Sequence, residues 1–146
     1  MPSPQPPRNS TLLHATTVAS GGQAVLIRGA SGSGKSSLAL QLLAYGADLV
    51  ADDRTQIWVQ DGGVMATVPN SILGQIEARG VGILRASAAG PQPVSLVVDC
   101  DAIETERLPP LRTTRLLDVT LPVVGKLAYP HFPAAILLYL RHGRLA

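Results

Sequence analysis

The hydrophobic pattern opens at Thr11–Ala19, a run that mixes β-branched and apolar residues and ends at Ser20-Gly21-Gly22 before the apolar stretch Ala24-Val25-Leu26-Ile27. This predicts two strands joined by a tight turn. A glycine-rich loop follows, and from Ser37 to Tyr45 the apolar residues, among them Leu38 and Leu42, fall at helical spacing before Gly46 stops the helix. Leu49-Val50-Ala51 reads as a short buried strand ending on Asp52-Asp53, and Thr55–Val68 as a hairpin turning at Asp61-Gly62-Gly63. Ser71–Ala78 has weak helical character interrupted by Gly74, and Gly80-Val81-Gly82 marks a loop. Val94–Val98 is a buried strand closed by Asp99, Leu117–Val124 a weaker strand, and Pro133–Arg141 a terminal helix opened by its proline. Strand, loop and helix together give an α/β class, and no internal repeat is visible.

Composition narrows this without adding a partner. The chain has 146 residues and is 46% hydrophobic, which suits one domain over residues 11–146 with a real core, preceded by a proline-rich lead over residues 1–10 read as disordered. Twelve basic residues stand against ten acidic ones with no basic stripe, so no nucleic acid is expected as a partner. The start has neither the charged nor the apolar region of a signal peptide, and the apolar stretch Phe132–Leu140 is too short to cross a bilayer. The expectation is a cytoplasmic protein with no membrane contact. The single cysteine, Cys100, sits in an apolar run and is read as packing.

The strongest chemical signal is Gly29-Ala30-Ser31-Gly32-Ser33-Gly34-Lys35-Ser36, a Walker A pattern lying between a predicted buried strand and a helix. Glycines let the backbone turn its amides inward, and the helix start adds partial positive charge, so the segment suits the phosphates of a nucleotide such as ATP. Lys35 supplies a point charge for the terminal phosphates, and the Ser36 hydroxyl suits Mg2+. Ser20-Gly21-Gly22-Gln23 resembles a transporter-ATPase signature, but it precedes the loop and reads better as a hairpin turn.

Asp52 and Asp53 close a strand, where α/β sheets place their ligands. Neighbours in a strand point to opposite faces, so either the two acids do different jobs or the backbone bends after the strand. A P-loop enzyme needs one acid near the metal and one group that orients the nucleophile. Asp99, also at a predicted strand end, competes with Asp53 for the metal-side role. His14 lies on the strand before the loop and carries no assignment by itself.

Read together, His14-Ala15, the glycine loop, Leu49-Val50-Ala51-Asp52-Asp53 and Ile76-Glu77-Ala78-Arg79-Gly80-Val81-Gly82-Ile83 resemble the catalytic C-terminal domain of HPr kinase/phosphorylase. The matches run in order from about His14 to Arg107, in the short form found in alphaproteobacteria. The resemblance implies a mixed β-sheet flanked by helices, similar to the HPr kinase and PEP carboxykinase-like P-loop fold. It implies phosphorylation of a serine of the phosphocarrier HPr from ATP and Mg2+, within phosphotransferase-system regulation. It also implies removal of that phosphate by attack of Pi with release of PPi, and a homo-oligomer, a ring-like hexamer.

By the same resemblance, Gly29 through Ser36 hold the nucleotide phosphates, Ser36 and Glu77 hold magnesium with Asp53 on the metal side, and Asp52 is the acid/base. His14 and Lys35 join the catalytic set. Arg107 matches the catalytic arginine, with Arg112 and Arg115 as rivals. Two segments depart from the family pattern: Ser37 replaces an acid, and Pro122–Leu127 replaces a stretch that usually carries arginine. The alternative functions are a small-molecule P-loop kinase, which normally has an arginine-rich lid, and a nucleotide-sensing regulatory module without catalysis.

Overall fold

The computed structural model describes residues 6–146, so the first half of the proline-rich lead, residues 1–5, lies outside the described residues. Just beyond them the chain makes a turn, with the Ser10 N–H donating to the Pro7 carbonyl at 3.0 Å.

The first hydrophobic run is two strands, β1 (Thr11–Leu13) and β2 (Ala15–Ser20), because His14 interrupts it. β2 turns at Gly21-Gly22, both at positive φ, into β3 (Gln23–Arg28). Helix α1 (Lys35–Ala44) follows the glycine loop and ends at Gly46, whose φ of 100° lets the Ala47 N–H close back on the Leu42 carbonyl. The short strand β4 (Asp48–Ala51) leads to the hairpin β5 (Thr55–Gln60) and β6 (Gly63–Thr67), which turns at Asp61-Gly62.

Three elements differ from the sequence expectation. Ser71–Ala78 is a 3-10 turn (Asn70–Ile72) and then strand β7 (Gln75–Ala78), paired with β8 (Gly82–Arg85). Burial alternates along β7, with Ile76 and Ala78 inside and Gln75 and Glu77 outside, so period two prevails over the weak helical signal. Strand β9 does not close at Asp99 but runs from Gln92 to Ile103. The weaker strand is a hairpin: β10 (Arg112–Leu116) and β11 (Val119–Lys126) turn at Leu117-Asp118, both at positive φ. β10 escapes a hydrophobic reading because it is polar and largely exposed. Helix α2 (Phe132–His142) closes the chain with Pro133 in its first turn, as expected.

The main sheet runs β1-β5-β6-β9-β3-β2-β4, with β11 also on β9 and β10 beyond it. β3–β9 and β9–β11 are parallel, and the remaining pairings are antiparallel, so the sheet is mixed. Two apolar clusters lie on its two faces. One joins Val25, Ile27, Leu96 and Val98 to Leu38 and Leu42 of α1 and Ile136 and Leu140 of α2. The other draws only on strands and loops, with Leu26, Val50, Ile57, Val64 and Val97 among its buried members. Both helices therefore cover one face, while the sheet curls to cover the other, which corrects the picture of a sheet flanked by helices.

Two bulges disturb the alternation where it matters. β2 opposes β4 with Val18 facing Leu49 and Thr17 facing Ala51, which leaves Val50 as an extra residue. β9 opposes β11 with Asp99 facing Gly125 and Ile103 facing Lys126, which leaves Cys100, Asp101 and Ala102 unpaired on that side. Bulges re-aim side chains and bend the strand that carries them. Because β3, β4, β9 and β11 all point the same way, both bulges lie toward the sheet edge from which the glycine loop rises.

Candidate functional site

The loop between β3 and α1 opens onto a pocket of about 260 Å3 lined by Ser31, Gly32, Gly34, Lys35, Ser36 and Ser37, with Leu40. Across from the loop stand Asp52, Asp53, Glu77 and Arg79. Helix α1 starts at Gly34, whose φ of 102° suits glycine, and no side chain caps its first amides. Uncapped amides at a helix start leave hydrogen-bond donors and partial positive charge for an anion. Lys35 is buried, and its Nζ donates to the carbonyls of Gly29 at 2.8 Å and Ala30 at 3.1 Å. The ammonium is thus held beneath the loop by the loop's own carbonyls.

Asp52 is the most connected carboxylate of the pocket. Its Oδ1 accepts from the Ser36 hydroxyl at 3.0 Å and from the Thr16 hydroxyl at 3.3 Å, and its Oδ2 accepts from the Glu77 N–H at 3.0 Å. The Thr16 hydroxyl in turn accepts from the Asp53 N–H at 3.2 Å. Asp53 has a φ of 64°, which turns the chain just after β4. Both acids therefore line one pocket, and of the two sequence alternatives the backbone takes the bend. The sequence reading does not single out Thr16, although two adjacent threonines inside an apolar strand are the signal that could find it, and the structure buries both. Thr17 is satisfied elsewhere, against Thr55 Oγ1 at 3.0 Å.

The remaining candidates are distributed unevenly. Asp99 does not line this pocket; it pairs with Arg28 at 3.5 Å and accepts the Asp101 N–H. His14 is exposed at the break between β1 and β2, off the pocket lining. Arg107 is exposed in the segment between β9 and β10, also off that lining. Arg112 is taken up by Glu104 at 3.2 Å and Glu106 at 2.9 Å, and Arg115 by Asp118 at 3.6 Å. The hydrogen bond from Arg112 holds the Glu104 carboxyl below its usual range, while Glu104 raises the guanidinium in return. The arginine that lines the pocket is Arg79, because β7 is a strand whose hairpin brings it there. Cys100 is a buried free thiol, pushed up from its usual range chiefly by burial, in keeping with a packing role.

Among the described residues, no group of three or more His, Cys, Asp or Glu is set as a metal cluster. The donors facing the pocket from Ser36, Asp52, Asp53 and Glu77 are nonetheless all oxygen, which fits a hard cation such as Mg2+. Such an ion keeps several waters and takes few protein ligands, so the residues present suit it.

Gly29 offers a direct check on the loop. A Cβ there would lie 2.6 Å from Ser33 Oγ and 3.0 Å from Cys100 Cβ, at a φ of 148°. Gly29→Ala is expected to destabilise the protein by about 1–3 kcal/mol through overpacking and backbone strain. The measurement is the midpoint of urea unfolding, and an unchanged midpoint would show that the loop can shift at no cost.

With this geometry in place, comparison with known proteins is decisive for the family. The family model described as the HPr Serine kinase C-terminal domain matches residues 8–94, more than half of the chain. The chain belongs to this family. The HPr kinase/phosphorylase of Clostridium botulinum is 40% identical over 74 residues, which cover 51% of this chain and 24% of that protein. For the enzyme of Streptococcus thermophilus the figures are 45% over 75 residues, 51% and 24%. For that of Enterococcus faecalis they are 38% over 105 residues, 66% and 34%. The chain thus spans only about a quarter to a third of the length of these curated relatives.

The solved structure of the Hpr(Ser) kinase/phosphatase from Coxiella burnetii superposes with a TM-score of 0.74, covering 90% of this chain and 94% of that one at 23% identity. That likeness establishes the mixed α/β fold with its curled sheet. No helix among the described residues is long and apolar enough to cross a membrane.

Proposed function

We propose that this HPr kinase-family domain is an ATP-dependent serine kinase acting on an HPr-like phosphocarrier protein in phosphotransferase-system regulation, and that it also removes the phosphate in a second reaction, phosphorolysis, in which Pi takes it up as PPi. The observation that carries the proposal is the contact of Asp52 with Ser36, which puts a carboxylate against the uncapped start of α1. In this reading the loop from Gly29 to Ser36 is a Walker A segment and the pocket beside it receives the terminal phosphates. A cytoplasmic setting and the ring-like hexamer implied by the resemblance belong to the same proposal.

Phosphoryl transfer through a loose transition state is limited by positioning and by charge on the equatorial oxygens. The amides at the start of α1 and the Lys35 ammonium meet that charge, and Arg79, which makes no ion pair among the described residues, is placed to add to it. Ser36, Asp53 and Glu77 would hold Mg2+, which when bound neutralises phosphate charge. Asp52 orients the acceptor hydroxyl. As the serine oxygen bonds to the γ-phosphorus and the bridge to the β-phosphate breaks, Asp52 takes the serine proton.

Carboxylates are weak bases toward an alcohol, so the proton moves late. In phosphorolysis an oxygen of Pi bonds to the phosphorus of phosphoserine, the serine P–O bond breaks, PPi and the free serine leave, and the same carboxyl returns the proton to the serine oxygen. The hydrogen bonds from Ser36, Thr16 and the Glu77 amide keep Asp52 in one orientation for both reactions.

Incubation with Mg-ATP and purified HPr, followed by intact-mass measurement, is expected to show one phosphate gained on HPr. Transfer to a metabolite instead would establish a small-molecule kinase. Nucleotide binding with transfer to nothing would establish a sensing module.

A further inference from the structure

We infer that Asp101, with Lys126 as its counterpart, is a positioning residue that holds the glycine loop in shape for phosphate; this rests on the nucleotide reading above. β3 and β9 run in parallel with Arg28 beside Asp99, so the loop leaving β3 lies against the residues that follow Asp99. There the bulge frees Cys100, Asp101 and Ala102 from β11. Both carboxylate oxygens of Asp101 reach the Ala30 N–H at 3.0 Å. Asp101 is oriented in turn by its own N–H, which donates to Asp99 Oδ1 at 2.9 Å. The carbonyl of the peptide unit that carries the Ala30 N–H, Gly29's, accepts from Lys35 Nζ at 2.8 Å, and the next carbonyl, Ala30's, accepts from Lys35 Nζ at 3.1 Å and from the Ser33 N–H at 3.0 Å. Asp101 therefore fixes the peptide unit on which the lysine rests.

Lys126 holds the other end of the loop. Its Nζ donates to the Ser33 carbonyl at 2.8 Å and passes over Gly34, where a Cβ would stand 3.0 Å away. Its strand can come this close because the preceding residue is glycine: a Cβ on Gly125 would meet the Ala102 carbonyl at 2.7 Å. A carboxylate on one amide and an ammonium on one carbonyl thus grip the loop from β9 and β11. Gly34, Lys35 and Ser36, at the start of α1 that no side chain caps, line the pocket. Asp101 lies outside that pocket's lining, so its charge supports the loop rather than filling the phosphate site.

The test is titration of the full chain with a fluorescent ATP analogue in Mg2+. Asp101→Ala is expected to weaken binding by about 3- to 10-fold, the loss of one charge-assisted bond discounted for exposure. Asp101→Asn keeps an oxygen for the Ala30 N–H and is expected to stay within about twofold of the unsubstituted protein. Lys126→Met should weaken binding as Asp101→Ala does, and Lys126→Arg should restore it. In turnover, Asp101→Ala should raise the KM for ATP and leave kcat within about twofold, because a loop held out of shape costs ground-state and transition-state binding alike.

Amide exchange reads the clamp without nucleotide: the Ala30 N–H should exchange faster in Asp101→Ala while the thermal midpoint stays put. Binding by Asp101→Ala equal to or tighter than that of the unsubstituted protein overturns the clamp. No binding by the unsubstituted protein overturns the nucleotide reading, and unchanged Ala30 exchange would then overturn the clamp separately.

Discussion

Asp52→Asn is expected to lose serine phosphorylation and phosphorolysis together, by about 10²- to 10⁴-fold, the range for removing a positioned acid or base. The substitution is nearly isosteric, so the fold should survive it. The amide oxygen can take the Glu77 N–H, and the amide nitrogen can donate to the hydroxyls of Ser36 and Thr16, which reverse their roles and accept. Affinity for the nucleotide should persist, because Lys35 and the amides at the start of α1 are untouched. Kinetics of both reactions, alongside a binding titration with and without magnesium, check this. Retained turnover would remove Asp52 from the mechanism. An affinity lost only when magnesium is present would instead make Asp52 an acid on the metal side, a role its contact with Ser36 also permits.

Lys35→Met is expected to cost about 10- to 100-fold in ATP affinity, because hydrogen bonds to charged groups contribute about 1.5–3 kcal/mol each. Methionine keeps the aliphatic stem of a residue that is 7% exposed, so packing beneath the loop is largely preserved. The substitution removes the ammonium that Gly29 and Ala30 hold at 2.8 and 3.1 Å. A fluorescent-nucleotide titration reads the loss. An unchanged affinity would mean that the loop does not bind phosphate, and the kinase proposal would fall with it.

Local signals carried much of the architecture. The strand, glycine loop and helix from Ala24 to Ala44 were legible because each has its own short-range marker: a run of buried apolar residues, glycines where φ is positive, and apolar spacing at the helical period. The turns at Gly21-Gly22 and Asp61-Gly62 were legible for the same reason. β7 was misread because four residues alternate too briefly to outweigh a weak helical pattern, and their partner β8 is entirely exposed. β10 was missed because an edge strand of arginine and threonine buries too little to leave a hydrophobic trace.

The candidate site was legible only in part. Asp52, Asp53 and Glu77 were singled out in sequence and do line one pocket with the loop, together with Arg79 of the same motif as Glu77. His14 and Arg107 were singled out with them, yet both are exposed away from that lining. Asp101 and Lys126 carried no such signal and Thr16 only its place in an apolar strand, and each touches the loop or its aspartate directly.

By itself, then, the sequence determined that a glycine-rich loop with one lysine stands between a strand and a helix, and that two acids follow one helix later. These depend on contacts within a few residues. Tertiary structure decided which acid meets Ser36, that Arg79 is the arginine at the pocket, and that Asp101 and Lys126 hold the loop from outside. Those outcomes rest on the parallel alignment of β3, β9 and β11 and on bulges of one and three residues. A bulge turns neighbouring side chains only relative to a partner strand far away in the chain, so no local pattern records it.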